Sequence, residues 1–186
     1  MPQKSLLILS LISSFVFASE HMSEADINKS IAIAGSMKKG LGGMLKQKLE
    51  KEGPVVAFAF CAEAAAPATQ KIATENNVTI KRVTTKLRNP VLNTPDELDN
   101  NALAEYAKYK SEAEAPKHLV LKDTKSGVVR FYEPMYIMGM CLACHGESSK
   151  MQEGVKTQIT AKYPTDKAVD YKMGEFRGLI AIEPKK

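Results

Sequence analysis

Residues 117–137 read KHLVLKDTKSGVVRFYEPMYI, and this stretch says most about how the chain folds. Two runs rich in Val, Leu, Phe and Tyr flank DTKSG at 123–127, where Asp, Ser and Gly favour a turn. The pattern predicts a β-hairpin with strands at 117–122 and 128–137. Further strands are predicted at 78–85 and 178–183, so we expect a small antiparallel sheet.

Helices are predicted to fill most of the remaining chain. Apolar residues recur at helical spacing between 27 and 49, and the glycines at 40–43 mean that this first helix should either depend on tertiary packing or bend there. Gly53-Pro54 should start a second helix that runs towards Asn76, with a kink before Pro67. Shorter helices are predicted at 97–110 and 150–162, which makes the fold class α+β with two N-terminal helices.

Directly after the hairpin, the sequence reads CLACH at 141–145. C-x-x-C-H is the attachment signature of c-type haem. The thiols of Cys141 and Cys144 can bond two vinyl groups on one porphyrin edge, and the adjacent His145 can then ligate the iron. A redox C-x-x-C or half of a zinc site is the alternative, but no second C-x-x-C and no βαβ pattern accompanies the motif. The motif therefore predicts one covalently attached haem c.

The N-terminus carries the features of an export signal. Lys4 precedes an apolar run at 6–17, and small residues at 16–18 offer a cleavage site. Since c-type haem is attached outside the cytoplasm, we expect a signal peptide at 1–18 and a periplasmic protein with a single domain at 19–186. A signal segment that is retained as an anchor is the alternative.

Composition excludes some partners. The formal net charge of +5 is spread over scattered lysines, and no nucleic-acid-binding module is present, so we expect no nucleic acid partner. The chain lacks tryptophan, the usual anchor at a membrane surface, and no membrane contact is expected after signal cleavage.

Cys61 is the third cysteine of the chain. On a helix it shares a face with small residues, mainly alanines, which would let a flat macrocycle approach closely. Its sulfur could then ligate the iron opposite His145. Equally, a free cysteine is commonly just a small buried hydrophobic residue. The sequence pattern alone leaves both interpretations open.

Other side chains compete for the sixth position on the iron. His118 opens the hairpin, whereas His21 directly follows the predicted cleavage point and is a poor candidate. Met138 and Met140 would give the Met/His ligation of electron-transfer cytochromes, but they lie very near Cys141 in sequence. Four arginines could pair with the haem propionates, and they are Arg82, Arg88, Arg130 and Arg177.

Five segments together resemble one protein family. They are CLACHG at 141–146, CAEA at 61–64 with Pro67, RNP at 88–90 with Asn93 and Pro95, YPTDKA at 163–168, and GEFRG at 174–178. The chain resembles, from about residue 34 to 182, the small monohaem c-type haem proteins with a PAS-like fold. Members are free-standing or form periplasmic sensor modules. The resemblance implies a PAS-like fold and an iron ligated by His145 and the thiolate of Cys61.

Two functions are consistent with these residues. One is a sensor of redox state or of a diatomic gas such as CO or NO, with the thiolate as a labile ligand. The other is a monohaem electron-transfer cytochrome that serves a periplasmic partner. We do not expect an enzyme, because the sequence offers no distal His/Arg pair and no substrate motif.

Overall fold

A computed structural model describes residues 22–185, so the predicted signal peptide at 1–18 and His21 lie outside the described part. A four-stranded antiparallel sheet combines with helices, which confirms the α+β class. The elements are α1 (Glu24–Glu75), β1 (Val78–Val83), α2 (Pro90–Asn93), α3 (Glu97–Tyr106), β2 (Leu119–Lys122), β3 (Val129–Tyr136), a 3-10 helix (Gly139–Cys141), α4 (Leu142–His145), α5 (Glu153–Lys162) and β4 (Phe176–Pro184).

Helix α1 folds back on itself at Gly53. This glycine has φ 81° and ψ 173°, and it alone within α1 departs from helical dihedral angles. Lys29 Nζ donates to the carbonyl of Asn76 at 2.8 Å across 47 residues. A straight helix would hold these residues roughly 70 Å apart. The chain therefore forms two antiparallel helical segments, 24–52 and 54–75, and the predicted restart at Gly53-Pro54 is confirmed.

Two other sites in α1 where the sequence suggested an irregularity keep helical dihedral angles. The glycines at 40–43 and Pro67 all lie within continuous helix. Each glycine costs on the order of 1 kcal/mol relative to alanine, and packing of the apolar stripe against the rest of the fold outweighs this cost. Pro67 is exposed, so water can hydrate the carbonyl that loses its hydrogen bond.

The sheet has the strand order β1-β4-β3-β2, and all neighbours are antiparallel. Strands β2 and β3 form the predicted hairpin. Side chains alternate between two faces, because successive residues of a strand point in opposite directions. Phe131, Ile180 and Ile182 pack against α1 on one face. Tyr132 and Leu179 pack against α3 on the other.

The connection after β1 contains a short helix, α2, where its turn-rich sequence predicts only turns. Asn89 caps α2, because its side-chain oxygen accepts a hydrogen bond from the Leu92 amide at 3.3 Å. Helix α3 ends at Tyr106, four residues earlier than predicted, and β1 ends at Val83 rather than at residue 85. These differences leave the predicted order of elements unchanged.

Candidate functional site

The CLACH motif lies directly after the central strand β3. Residues 139–141 form the 3-10 helix, and α4 carries the last four residues of the motif. The segment 166–171 runs beside it, where the Tyr171 amide donates to the His145 carbonyl at 3.0 Å. The Asp170 amide donates to the Gly146 carbonyl at 2.9 Å. Two backbone hydrogen bonds thus hold the motif against a distant part of the chain.

The orientation of His145 is fixed by a backbone carbonyl. Its Nδ1 lies 2.7 Å from the Ala168 oxygen. A carbonyl can only accept, so Nδ1 carries the proton and Nε2 keeps its lone pair in the neutral ring. Burial, with the nearby charges of Arg88 and Arg177, holds the pKa of His145 well below its usual range. The imidazole is therefore neutral at physiological pH and ready to ligate a metal.

Arg88 connects three separate segments. Its Nε and Nη2 donate to the two carboxylate oxygens of Asp166 at 3.2 and 3.0 Å. The same Nη2 donates to the carbonyls of Cys144 at 2.7 Å and Ala168 at 3.1 Å. The side chains of Arg88 and Asp166 are 13% and 5% exposed. We call this arrangement the Arg88 clamp; it fixes the motif and the carbonyl that orients His145.

One cavity of about 550 Å³ brings the predicted site residues together. Cys61, Cys141, Cys144 and His145 all line it. Its size falls within the range of about 300–1,000 Å³ that is typical of cofactor and ligand sites. Its other walls are largely apolar, and they include Leu41, Leu45, Leu49, Phe58, Ala57, Ala62, Ala65 and Ala66.

Cys61 lies on the second segment of α1, and Ala57, Ala62, Ala65 and Ala66 of the same segment line the cavity with it. All three cysteines are free thiols. Burial raises the pKa of the Cys61 thiol, and the charges of Arg82 and Arg88 only partly offset this rise. Burial likewise raises the pKa of Cys144 to about 11. Cys144 is therefore a neutral thiol, and the arginines supply the positive charge that would stabilise a thiolate at Cys61.

A β-bulge turns Arg177 towards the cavity. Met135 pairs with Gly178 and Tyr136 pairs with Phe176, so Arg177 has no partner on β3. Bulges of this kind redirect a side chain. Gly178 permits it, because its φ is 143° and a Cβ there would lie 2.3 Å from the Val83 oxygen. Arg177 consequently lines the cavity with the motif.

Some of the other candidate iron ligands and propionate partners line the cavity, and others do not. The His118 ring stacks on Phe131 at 5.4 Å between centroids, and this histidine is not among the residues that line the cavity. Met138 and Met140 do line it. Of the four arginines, Arg130 belongs to an ion-pair network with Asp96, Asp99 and Glu183, whereas Arg82, Arg88 and Arg177 line the cavity.

Sequence reasoning missed two parts of the site. No role was predicted for Asp166 or for the Ala168 carbonyl, although both lie in the YPTDKA segment that carries the family resemblance.

Within residues 22–185, no group of three or more His, Cys, Asp or Glu side chains could hold a metal ion. No helix in this part of the chain is long and apolar enough to span a membrane.

Fold and site together define a PAS-like domain with a CxxCH cavity between a helical hairpin and the sheet. The chain belongs to the Tll0287-like family, whose sequence model matches residues 10–183. Among solved structures, it is similar to the crystal structure of the cyanobacterial haem protein Tll0287. That match has a TM-score of 0.69 and 21% sequence identity, and it covers 89% of this chain and 98% of the other. No curated protein matches the chain.

Proposed function

We propose that this protein binds one c-type haem in the cavity, with thioether bonds to Cys141 and Cys144 and with His145 on the iron. The observation that supports it best is that the motif residues line one cavity while the Ala168 carbonyl holds His145 in the tautomer that leaves Nε2 free. The similar structure is that of a haem protein. A bound haem c would supply a one-electron redox centre whose iron can bind diatomic gases.

The residues fit this attachment chemically. Each thiol adds across one vinyl group, so that sulfur bonds one vinyl carbon and the thiol proton goes to the other. The S–H bond and the carbon–carbon π bond are lost while a C–S bond and a C–H bond form, so no oxidant is required. Because Cys144 is protonated in this site, the hydrogen that the addition needs is present on the sulfur.

Expression with a c-haem maturation system in an exported form tests the attachment. We expect a mass increase of one haem that survives denaturation and acid-acetone extraction. The double variant with Cys141→Ala and Cys144→Ala should release its haem under the same extraction. Haem that washes out of the wild-type chain would contradict covalent attachment, and a chain that takes up no haem would contradict the whole proposal.

Cys61 is proposed as the sixth ligand of ferric iron. It lines the same cavity as His145, and Ala57, Ala62, Ala65 and Ala66 of its helix line that cavity too. Burial raises the pKa of its thiol, and the nearby charges of Arg82 and Arg88 partly offset that rise. Cys61→Ser should convert a low-spin thiolate spectrum into one of weaker field and raise the midpoint potential. Ala66→Ser is the matched control, since it adds a hydroxyl to the same helix and cavity but keeps the sulfur. An unchanged Cys61→Ser spectrum would assign the position to another ligand, such as Met138 or Met140.

The sensor function rests on the lability of this ligand. Reduction of the iron removes one positive charge, which weakens its preference for an anionic sulfur in a buried site. Cys61 lies on the helical segment that follows the Gly53 reversal, so release of the sulfur would free that segment to move. We expect the ferrous protein to bind CO or NO and the ferric protein to resist them.

Electron transfer is the alternative function. Leu92 and Met138 line the cavity, yet they are 50% and 54% exposed, so an apolar rim is open to a partner protein. A potentiometric titration with spectra under CO separates the two functions. A ferrous protein that stays six-coordinate, refuses CO and exchanges electrons rapidly with a periplasmic cytochrome would contradict the sensor and support the carrier.

Export to the periplasm is part of the proposal, because c-type haem is attached there and residues 1–18 carry the features of a signal peptide. The partners we propose are the haem, a diatomic gas and a periplasmic redox or signalling protein, without catalysis, nucleic acid or membrane binding. Cell fractionation tests the location: the mature chain should begin near residue 19 and appear in the periplasm. Retention of the full-length chain in the membrane fraction would favour an anchor.

A further inference from the structure

We propose that Arg82 and Arg177 bind the two propionate groups of the haem. This inference rests on the proposed function, because it assumes haem in the cavity. It assigns anionic partners to two cations that no carboxylate of the described chain pairs with.

Strand alternation directs Arg82 to the cavity. Its neighbour Lys81 lies on the α3 face, where Nζ is 3.1 Å from Asp99 Oδ2. Arg82 must therefore point to the opposite face, and its strand partner there is Ile180, which also lines the cavity. Among residues 22–185, no side chain or carbonyl forms a hydrogen bond or ion pair with this guanidinium.

Arg177 reaches the same end of the cavity from β4. Its Nη1 donates to Thr84 Oγ1 at 2.9 Å and to the Lys86 carbonyl at 3.2 Å. Its guanidinium lies 5.4 Å from the centre of the Tyr171 ring. These neutral acceptors orient the fork without cancelling its charge. Thr84 follows Arg82 by two residues and lines the cavity as well, so the two guanidinium groups lie on one wall.

The charges around the cavity leave these two arginines unmatched. Lys38 Nζ lies 2.6 Å from a Glu133 oxygen, and Arg88 has its bidentate partner Asp166. Glu112, the acidic residue among those that line the cavity, is exposed and forms no ion pair with Arg82 or Arg177 in the described part of the chain. Two cations without carboxylates remain, and a haem brings two carboxylates.

Burial makes the unmatched positive charges of Arg82 and Arg177 energetically unfavourable. It lowers the pKa of both Arg82 and Arg177, since a desolvated cation is unfavourable without an anion. Planar carboxylates match the guanidinium fork in a bidentate manner, which gives orientation as well as attraction. The cavity wall is thus complete only when an acid with two carboxylates lies against it.

The haem-loaded Arg82→Gln variant tests the inference. Loss of a positive charge beside the haem should shift the midpoint potential to lower values, because that charge stabilises the reduced state. The propionate bending band in resonance Raman spectra should also shift. Arg82→Lys should keep the potential near that of the wild type while the band still shifts, since charge remains and the fork is lost. Lys71→Gln is the control: it removes an exposed charge from α1 and should change neither readout.

Arg177→Gln should shift both the midpoint potential and the propionate band. If loss of the contact with Tyr171 impairs folding of this variant, Arg177→Lys is used in its place. An unchanged propionate band in Arg82→Gln would overturn the assignment of that residue. A changed ferric thiolate spectrum with an unchanged band would overturn it too, because Arg82 would then act on the Cys61 sulfur. If the wild-type chain carries no haem at all, the proposed function has failed rather than this inference alone.

Discussion

The two faces of the sheet differ in whether their buried charged side chains have partners of opposite charge. On the α3 face, Asp99 is fully buried and accepts hydrogen bonds from Arg130 at 2.6 Å, Tyr132 at 3.0 Å and Lys81 at 3.1 Å. On the cavity face, Arg82 and Arg177 have no carboxylate partner within the described chain. The α3 face is electrostatically complete by itself, whereas the cavity face has an excess of positive charge.

This difference separates stability from binding. A buried carboxylate with several donors links elements, and here Asp99 joins α3 to β1 and β3. Unmatched cations in a cavity do not stabilise the fold, because their desolvation is not offset until an anion arrives. We therefore expect substitutions on the α3 face to affect unfolding strongly, and the unmatched arginines to affect mainly what the cavity holds.

The largest effect is expected from Asp99→Ala. It leaves Lys81 and Arg130 short of an anion and removes the cap hydrogen bond to the Asp96 amide. Breaking a buried pair costs about 3–5 kcal/mol, so the free energy of unfolding should fall by that amount. Urea denaturation measures it, with the exposed neighbour Asn100→Ala as a control that should stay within about 0.5 kcal/mol. A loss of unfolding free energy no larger than that of Asn100→Ala would contradict the proposal that Asp99 stabilises the fold on the α3 face.

The matching change on the cavity face is Asp166→Ala. Arg88 then loses its bidentate partner but keeps the carbonyls of Cys144 and Ala168. We expect a loss of about 1.5–3 kcal/mol, the range for hydrogen bonds to charged groups, and therefore less than for Asp99→Ala. Urea denaturation beside the exposed Glu63→Ala variant measures this. If Asp166→Ala lowers the free energy of unfolding more than Asp99→Ala does, the Arg88 clamp contributes more to stability than the Asp99 network.

Gly178→Ala should break the bulge that turns Arg177 to the cavity. A Cβ would lie 2.3 Å from the Val83 oxygen at a φ of 143°, so backbone must move. Overpacking of this kind costs about 1–3 kcal/mol. Gly35→Ala is the control, since it lies in helix with nothing within 4 Å and should be neutral or stabilising. Equal unfolding midpoints for Gly178→Ala and the wild type would show that the bulge tolerates a side chain.

The smallest effect concerns acid stability on the α3 face. Burial opposes ionisation of Asp96, but the Asp99 amide and the Arg130 guanidinium outweigh it and lower its pKa. A lowered pKa adds stability above the usual value of 3.8 that is lost as the pH falls through the folded value. Asp96→Asn, which keeps the helix cap, should therefore differ from the wild type at pH 6 and converge with it as the pH falls through the lowered folded-state pKa of Asp96. A difference that does not depend on pH would contradict this.

Much of the fold could be predicted because its signals are local. The hairpin follows from two apolar runs around an Asp-Ser-Gly turn, and the reversal at Gly53 follows from a glycine before a proline. The helix stays continuous through the glycines at 40–43, which is the alternative in which tertiary packing outweighs their weak helix propensity. The four residues Cys61, Cys141, Cys144 and His145 could be singled out by residue type, and the structure places all of them around one cavity.

The sequence by itself determined the element order, the alternation that separates Lys81 from Arg82, and the chemical identity of the candidate ligands. These depend on periodicity and on residue type, which are readable along the chain. Only the tertiary structure decided that the Ala168 carbonyl orients His145, that Asp166 occupies Arg88, and that a bulge brings Arg177 to the cavity. Each of those facts depends on which backbone atoms meet across long sequence separations, and side-chain identity does not encode that.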